Sequence, residues 1–180
     1  MESLIEIKES YRDYIPPIDV KKTVQTLLRY VPNKYLSSIN CVVLTNSGKL
    51  SRHERREKTR SRHREVHINE CIGLYHQQYE GNPAWIEIFV DNIFLSIPVL
   101  MLRIPLIRNL IMTDVLYHEI GHHIHKTIVP EHIEREDGAD KWCRRLGRKF
   151  VFRRYWYLLP LLLILSAITK VLKNTVFSKK

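Results

Sequence analysis

The stretch YHEIGHHIHK, residues 117–126, constrains this chain more than any other part of it. It holds four of the nine histidines, and two of them, His118 and His122, stand four residues apart. On an α-helix that spacing sends both rings from one face, one turn apart. Two imidazoles so placed can fill two positions around one zinc ion. Glu119 points to the side, where it is a poor ligand but can reach a water on the metal. This is the H-E-x-x-H arrangement, with Glu119 as general base. A fold built on the pair must bring a third ligand to it from elsewhere. The bland alternative is a basic helix whose histidine spacing is coincidental.

The residues that follow narrow the search. A metzincin would continue with glycine at 125 and histidine at 128, and those positions hold His125 and Ile128. His125 shares the face of the pair but lies about 10 Å along the axis from His118. Bonds of about 2.0 Å cannot span that distance, so His125 is expected in a cleft or in solvent, and His123 points elsewhere. The next helix carries EREDGADKW, in which Glu136 precedes Asp140 by one turn. Glu136 can complete three protein ligands and leave a fourth position for water. Asp140 can accept the free N–H of a ligand histidine and fix its tautomer. Glu131 and Glu134 compete for the ligand role, although Glu134 lies roughly 160° from Glu136 around the helix.

HEIGH followed by EDGADKW resembles the gluzincin metallopeptidases, and in particular the minigluzincins and ImmA/IrrE-type domains. These follow His-Glu-x-x-His with a motif of the form E-x-x-A-D-x-aromatic, which Glu136, Ala139, Asp140 and Trp142 match. The resemblance covers about residues 19–150. It implies an α+β zincin-like domain with an N-terminal helix, a short three-stranded twisted sheet, an active-site helix and a glutamate helix. It also implies Zn2+ on His118, His122 and Glu136, Glu119 as the base, and Asp140 behind a ligand. The activity implied is that of a zinc metalloendopeptidase acting on a protein or peptide. No residue matches the Tyr or His with which larger gluzincins stabilise the oxyanion; Tyr117, His123 and His125 are the local candidates.

The rest of the chain reads consistently with an α+β domain. Asp19 is placed to cap a helix over 19–30, with Val20, Val24, Leu27 and Leu28 on one face and Pro32 beyond its end. The β-branched run 39–46 predicts a strand. Segments 70–79 and 84–94, joined through Gly81 and Asn82, predict a β-hairpin. A substrate is expected to lie extended along the edge of the strand at 85–90. Residues 95–107 are apolar but broken by Pro98, Arg103 and Pro105, which argues for a buried connector or a greasy surface loop rather than a spanning helix. Helical periodicity resumes over 108–126 and 131–150, the latter with Ala139, Trp142, Cys143, Leu146 and Phe150 in a stripe.

Two segments stand apart from this plan. Residues 49–67 are dense in Arg, Lys and His and nearly free of apolar residues, so a solvated loop or insertion is expected. No aromatic residue interleaves the charges there as a base-stacking platform needs. Docking of nucleic acid or anionic lipid through this loop, around a structural zinc, is the rival function from a different class. A protease acting on a repressor-like partner is a second, enzymatic rival. The end of the chain, 151–180, reads as a hydrophobic helix and a membrane anchor. Residues 155–169 are uncharged, Lys170 can snorkel, and Tyr155, Trp156 and Tyr157 beside Arg153 and Arg154 resemble an interfacial belt. Cations upstream of it favour a cytoplasmic domain, although Lys179 and Lys180 charge the other flank too. The net charge of +10 suits an anionic partner. Cys41, Cys71 and Cys143 form no CxxC pair, so reduced thiols and an intracellular setting are expected. MESLIEIKES lacks the basic start and apolar core of a secretory signal.

Overall fold

The Asp19 carboxylate accepts a hydrogen bond from the Lys22 backbone N–H at 2.8 Å, capping helix α1 (Val20–Leu28) at the expected residue. Val20, Val24 and Leu27 are buried along one side of that helix. The computed structural model describes residues 5–61, 63–79, 81–130 and 134–158. The chain divides into two units, Met1–Gly147 and Arg148–Lys180.

The first unit is a mixed α+β fold. Strands β1 (Glu6–Ser10), β2 (Ile39–Thr45), β5 (Gly73–His76) and β6 (Ala84–Phe89) form one sheet in the order β1-β2-β6-β5. The two pairings across β1, β2 and β6 are parallel, with α1 carrying the chain from β1 to β2, as a parallel pair requires. β5 is antiparallel to β6 and closes the expected hairpin. The sheet therefore has four strands rather than three. EIKES joins it although only Ile7 is buried, because the outer edge demands backbone pairing more than an apolar face. β6 runs Ala84, Ile86, Ile88 to the core in strict alternation. It ends at Phe89, and residues 90–94 turn into a short helix, α2 (Val90–Phe94). Since β6 lies between β2 and β5, the strand at 85–90 has no free edge; among the described residues, the free edge on that side belongs to β5.

Residues 49–67 also differ from expectation. Part of this basic stretch folds into a second, two-stranded sheet, β3 (Lys58–Ser61) with β4 (Arg64–His67). It needs no apolar core: backbone pairing is supported by Lys58 Nζ and Glu65 Oε2 at 2.9 Å. Downstream, Pro98 and Pro105 divide the apolar run into α3 (Val99–Leu102) and the start of α4 (Pro105–His123), with Pro105 in the first helical turn. Most of that run is exposed, so the surface reading holds and the buried one does not. α4 packs against α1, β5 and β6. Ile124–Ile128 continues it as a π-helical turn, and α5 (Arg135–Tyr155) follows. Tyr35 and Trp142, with ring centroids 5.1 Å apart, fasten α5 to the body of the unit.

Among the described residues no helix is long and apolar enough to cross a membrane. The apolar run expected to do so falls almost entirely on residues 159–172, outside those described; Tyr155 ends α5 and Trp156–Leu158 form a 3-10 turn. Cys41, Cys71 and Cys143 are buried free thiols.

Candidate metal centre

Every residue from Val115 to His125 is buried. A solvent-facing basic helix would not be, so the four histidines are packed into the interior, where buried polar groups usually find partners. His123 finds two. Its Nε2–H donates to the Ser37 carbonyl at 2.7 Å, which leaves Nδ1 to accept from the Tyr75 hydroxyl at 3.0 Å. Burial lowers its pKa and keeps it neutral. His123 thereby ties α4 to β5 and to the turn before β2. Tyr117 is equally structural, its hydroxyl donating to the Leu27 carbonyl at 2.9 Å. His125 was expected in a cleft or in solvent; it is instead buried, its ring lying against Gly138, where an added Cβ would fall 2.6 Å from it.

The remaining pair meets α5. His118 Nε2 lies 3.4 Å from Glu136 Oε2, and His122 Nε2 lies 3.6 Å from Glu136 Oε1. The ligand atoms of His118, His122 and Glu136 are all within 4.8 Å of one another, and the three residues are buried. For bonds of about 2.0–2.1 Å, the ligand atoms of a tetrahedral ion stand about 3.4 Å apart. The spacing fits an ion in the middle better than direct hydrogen bonds, which weaken at 3.6 Å. Burial and the neighbouring His118 push the pKa of His122 well down, outweighing Glu136. The imidazole is then neutral, the form a metal takes. His118, His122 and Glu136 could thus hold a metal ion.

Asp140 stands behind them. Its Oδ1 lies 3.0 Å from His118 Nδ1, on the side of the ring away from Glu136's approach to Nε2. A carboxylate there favours the tautomer that leaves Nε2 bare. Glu134, a competitor for the ligand role, lines the cleft but is not one of the three clustered ligands, and it meets the basic hairpin. At the hairpin tip His63 adopts φ 66° and brings Nδ1 to 4.0 Å from Glu134 Oε2. Its Nε2 lies 3.6 Å from Asp137 and 3.9 Å from Asp140. Glu131 falls outside the described residues.

Two close approaches permit this assembly. At Gly121 an added Cβ would lie 2.5 Å from the Ala139 carbonyl oxygen and 2.9 Å from its Cα. Only glycine lets α5 come near enough for Glu136 to reach the histidine pair. At Gly73, on β5, an added Cβ would lie 2.7 Å from Glu119 Oε1. That strand is brought in by Asn92, whose amide donates to the carbonyls of Asn69 and Cys71 at 2.8 and 2.7 Å. Glu119 lies against β5 and lines, with His118, His122 and Glu136, a cleft of about 200 Å³.

Thr59, Gly73, Tyr75 and Arg135 also line this cleft, and none was singled out from the sequence. Arg135 had the one available signal, its position beside Glu136. Neither Tyr117, His123 nor His125 lines it. Compared with known proteins, the chain matches no family model, no curated protein and no solved structure.

Proposed function

We propose that the chain is a zinc metalloendopeptidase of the gluzincin kind. The observation that carries this reading is the buried triangle of His118, His122 and Glu136 with a carboxylate, Glu119, beside it in an open cleft. A metal held only for structure has no use for Glu119 or for a cleft. Bound zinc would supply a Lewis acid, acidifying water and polarising the scissile carbonyl. Glu119 would take the water's proton and return it to the leaving amine. Asp140 would hold His118 in its tautomer, and Arg135, among the described residues the one cationic side chain lining the cleft, would face the developing oxyanion. The substrate would lie extended along β5, the free edge that borders the cleft.

The test uses the full chain. One zinc per chain is expected, lost or much weakened in Glu136→Ala. Cleavage of an unstructured protein such as casein should fall by about 10²–10⁴-fold in Glu119→Gln, with zinc retained. Undiminished cleavage in Glu119→Gln would refute the assignment of the base. Zinc bound by a wild-type chain that cleaves nothing would favour the non-catalytic module, whose basic hairpin docks nucleic acid or anionic lipid.

We further propose that residues 151–180 anchor the unit to a membrane with its catalytic part on the cytoplasmic side. The uncharged run and its flanking Arg and aromatic residues support this. Such a chain resists alkaline carbonate extraction, and its release into the supernatant would remove the anchor.

A further inference from the structure

We propose that the segment Leu95–Ile104 is a second lipid contact, which inserts its apolar side chains into the surface of an anionic bilayer independently of the C-terminal segment. Leu95 and Leu100 are 87% and 73% exposed, and Val99, Met101 and Ile104 are about half exposed. Leu110, five residues into α4, adds another exposed apolar side chain. A folded surface rarely gathers so many within sixteen residues without a partner for them.

The covalent structure explains why they cannot turn inward. Pro98 and Pro105 prevent one continuous helix, and α3 has only four residues, of which Leu102 alone is buried. The result is an exposed knuckle most of whose side chains face out.

Its charge selects the occupant. From 92 to 113 there is no Asp or Glu, and the only ionised side chains are Arg103 and Arg108. Arg103 is exposed beside the apolar group. A second copy meeting this surface face to face would set cation against cation. The chain's own run 155–169 is uncharged and offers Arg103 no acid. Anionic lipid supplies both parts: acyl chains for the leucines and phosphate for the guanidinium.

The experiment labels the full chain at Leu100→Cys with an environment-sensitive fluorophore and reconstitutes it into phosphatidylcholine vesicles with and without phosphatidylglycerol. The three native cysteines are buried, so the label goes to the introduced thiol. Gln25→Cys, on α1, is the control. The expected result at position 100 is a blue shift and quenching by nitroxide-bearing lipid, both increasing with phosphatidylglycerol, with neither at position 25. A label at 100 that stays water-like and is quenched only by aqueous iodide would overturn the proposal. A blue-shifted label that nitroxide lipid does not quench would overturn it too, because protein then covers the knuckle.

Discussion

Gly121 offers the most direct test of how the metal triangle is assembled, because it is neither a ligand nor in the cleft. In Gly121→Ala the new Cβ would stand 2.5 Å from the Ala139 oxygen, 2.9 Å from its Cα and 3.1 Å from its carbonyl carbon. All three are backbone atoms, so no side-chain rotation relieves the clash. Reaching the 3.4 Å of ordinary contact moves α5 outward by about 0.9 Å. Glu136 is one turn before Ala139 and travels with it. Metal bonds tolerate about 0.2 Å, so the carboxylate leaves bonding range of an ion held by His118 and His122. Zinc affinity should fall about 10–100-fold, the scale seen when a ligand loses what orients it. The helix gains about 1 kcal/mol from replacing glycine, whereas overpacking costs about 1–3 kcal/mol. The metal-free chain should therefore melt a few degrees lower, on the order of 5 °C. Gly147→Ala is the matched control. Its Cβ would meet Thr113 at 3.5 Å, an ordinary contact, so it should leave zinc binding unchanged and raise the melting temperature. Competition with a zinc-sensitive chelator reads affinity, and thermal denaturation in chelator reads stability. Wild-type zinc affinity in Gly121→Ala would show that the close approach of α4 and α5 does not hold the third ligand in place.

Other consequences follow from the same geometry. Gly73→Ala sets a methyl 2.7 Å from Glu119 Oε1 and 2.9 Å from its Cγ, so the side chain must shift; under the proposed function, cleavage should drop at least about 10²-fold while zinc content stays near wild type, and full activity would show that β5 does not set the position of Glu119. Burial lowers the pKa of His122 below its unfolded value near 6.5, so the unfolded chain binds more protons in acid. The metal-free chain should keep this stabilisation above about pH 6.5 and lose it as pH falls below that value. A melting temperature in chelator that is flat or rising from pH 7 to 5 would contradict the buried, neutral histidine.

Much of the frame was legible because its determinants are local. Asp19 caps α1 through its own side chain, Pro32 lies beyond its end, and Ala84-Ile86-Ile88 alternates as a half-buried strand does, whereas α4, expected from about 108, begins at Pro105. The meeting of His118, His122 and Glu136 was legible for a chemical reason: two imidazoles four residues apart supply only two of the three protein ligands a zinc ion takes, and Glu136, with Asp140 one turn on, was the carboxylate placed to be the third. The features that escaped depend on partners remote in sequence. β1 is mostly charged and owes its place to parallel pairing with β2 beyond α1. The hairpin at 58–67 has no apolar signature, since backbone pairing and Lys58–Glu65 support it. Gly73 and Gly121 look like any other glycines until Glu119 and Ala139 are found against them. His125 shows the opposite failure, because its helical position alone could not reveal that Gly138 makes room for it.

Among the described residues, the order β1-β2-β6-β5 leaves Gly73–His76 with one row of backbone groups turned away from its neighbour β6. Such an edge accepts only a polypeptide whose own amides and carbonyls are uncommitted. A helix, or a strand already paired on both sides, presents nothing for it to grip. A substrate of the proposed kind docking there would be sorted first by whether it is folded and only then by which residues it carries, so a single target protein would be ignored while intact and admitted once a segment of it comes loose.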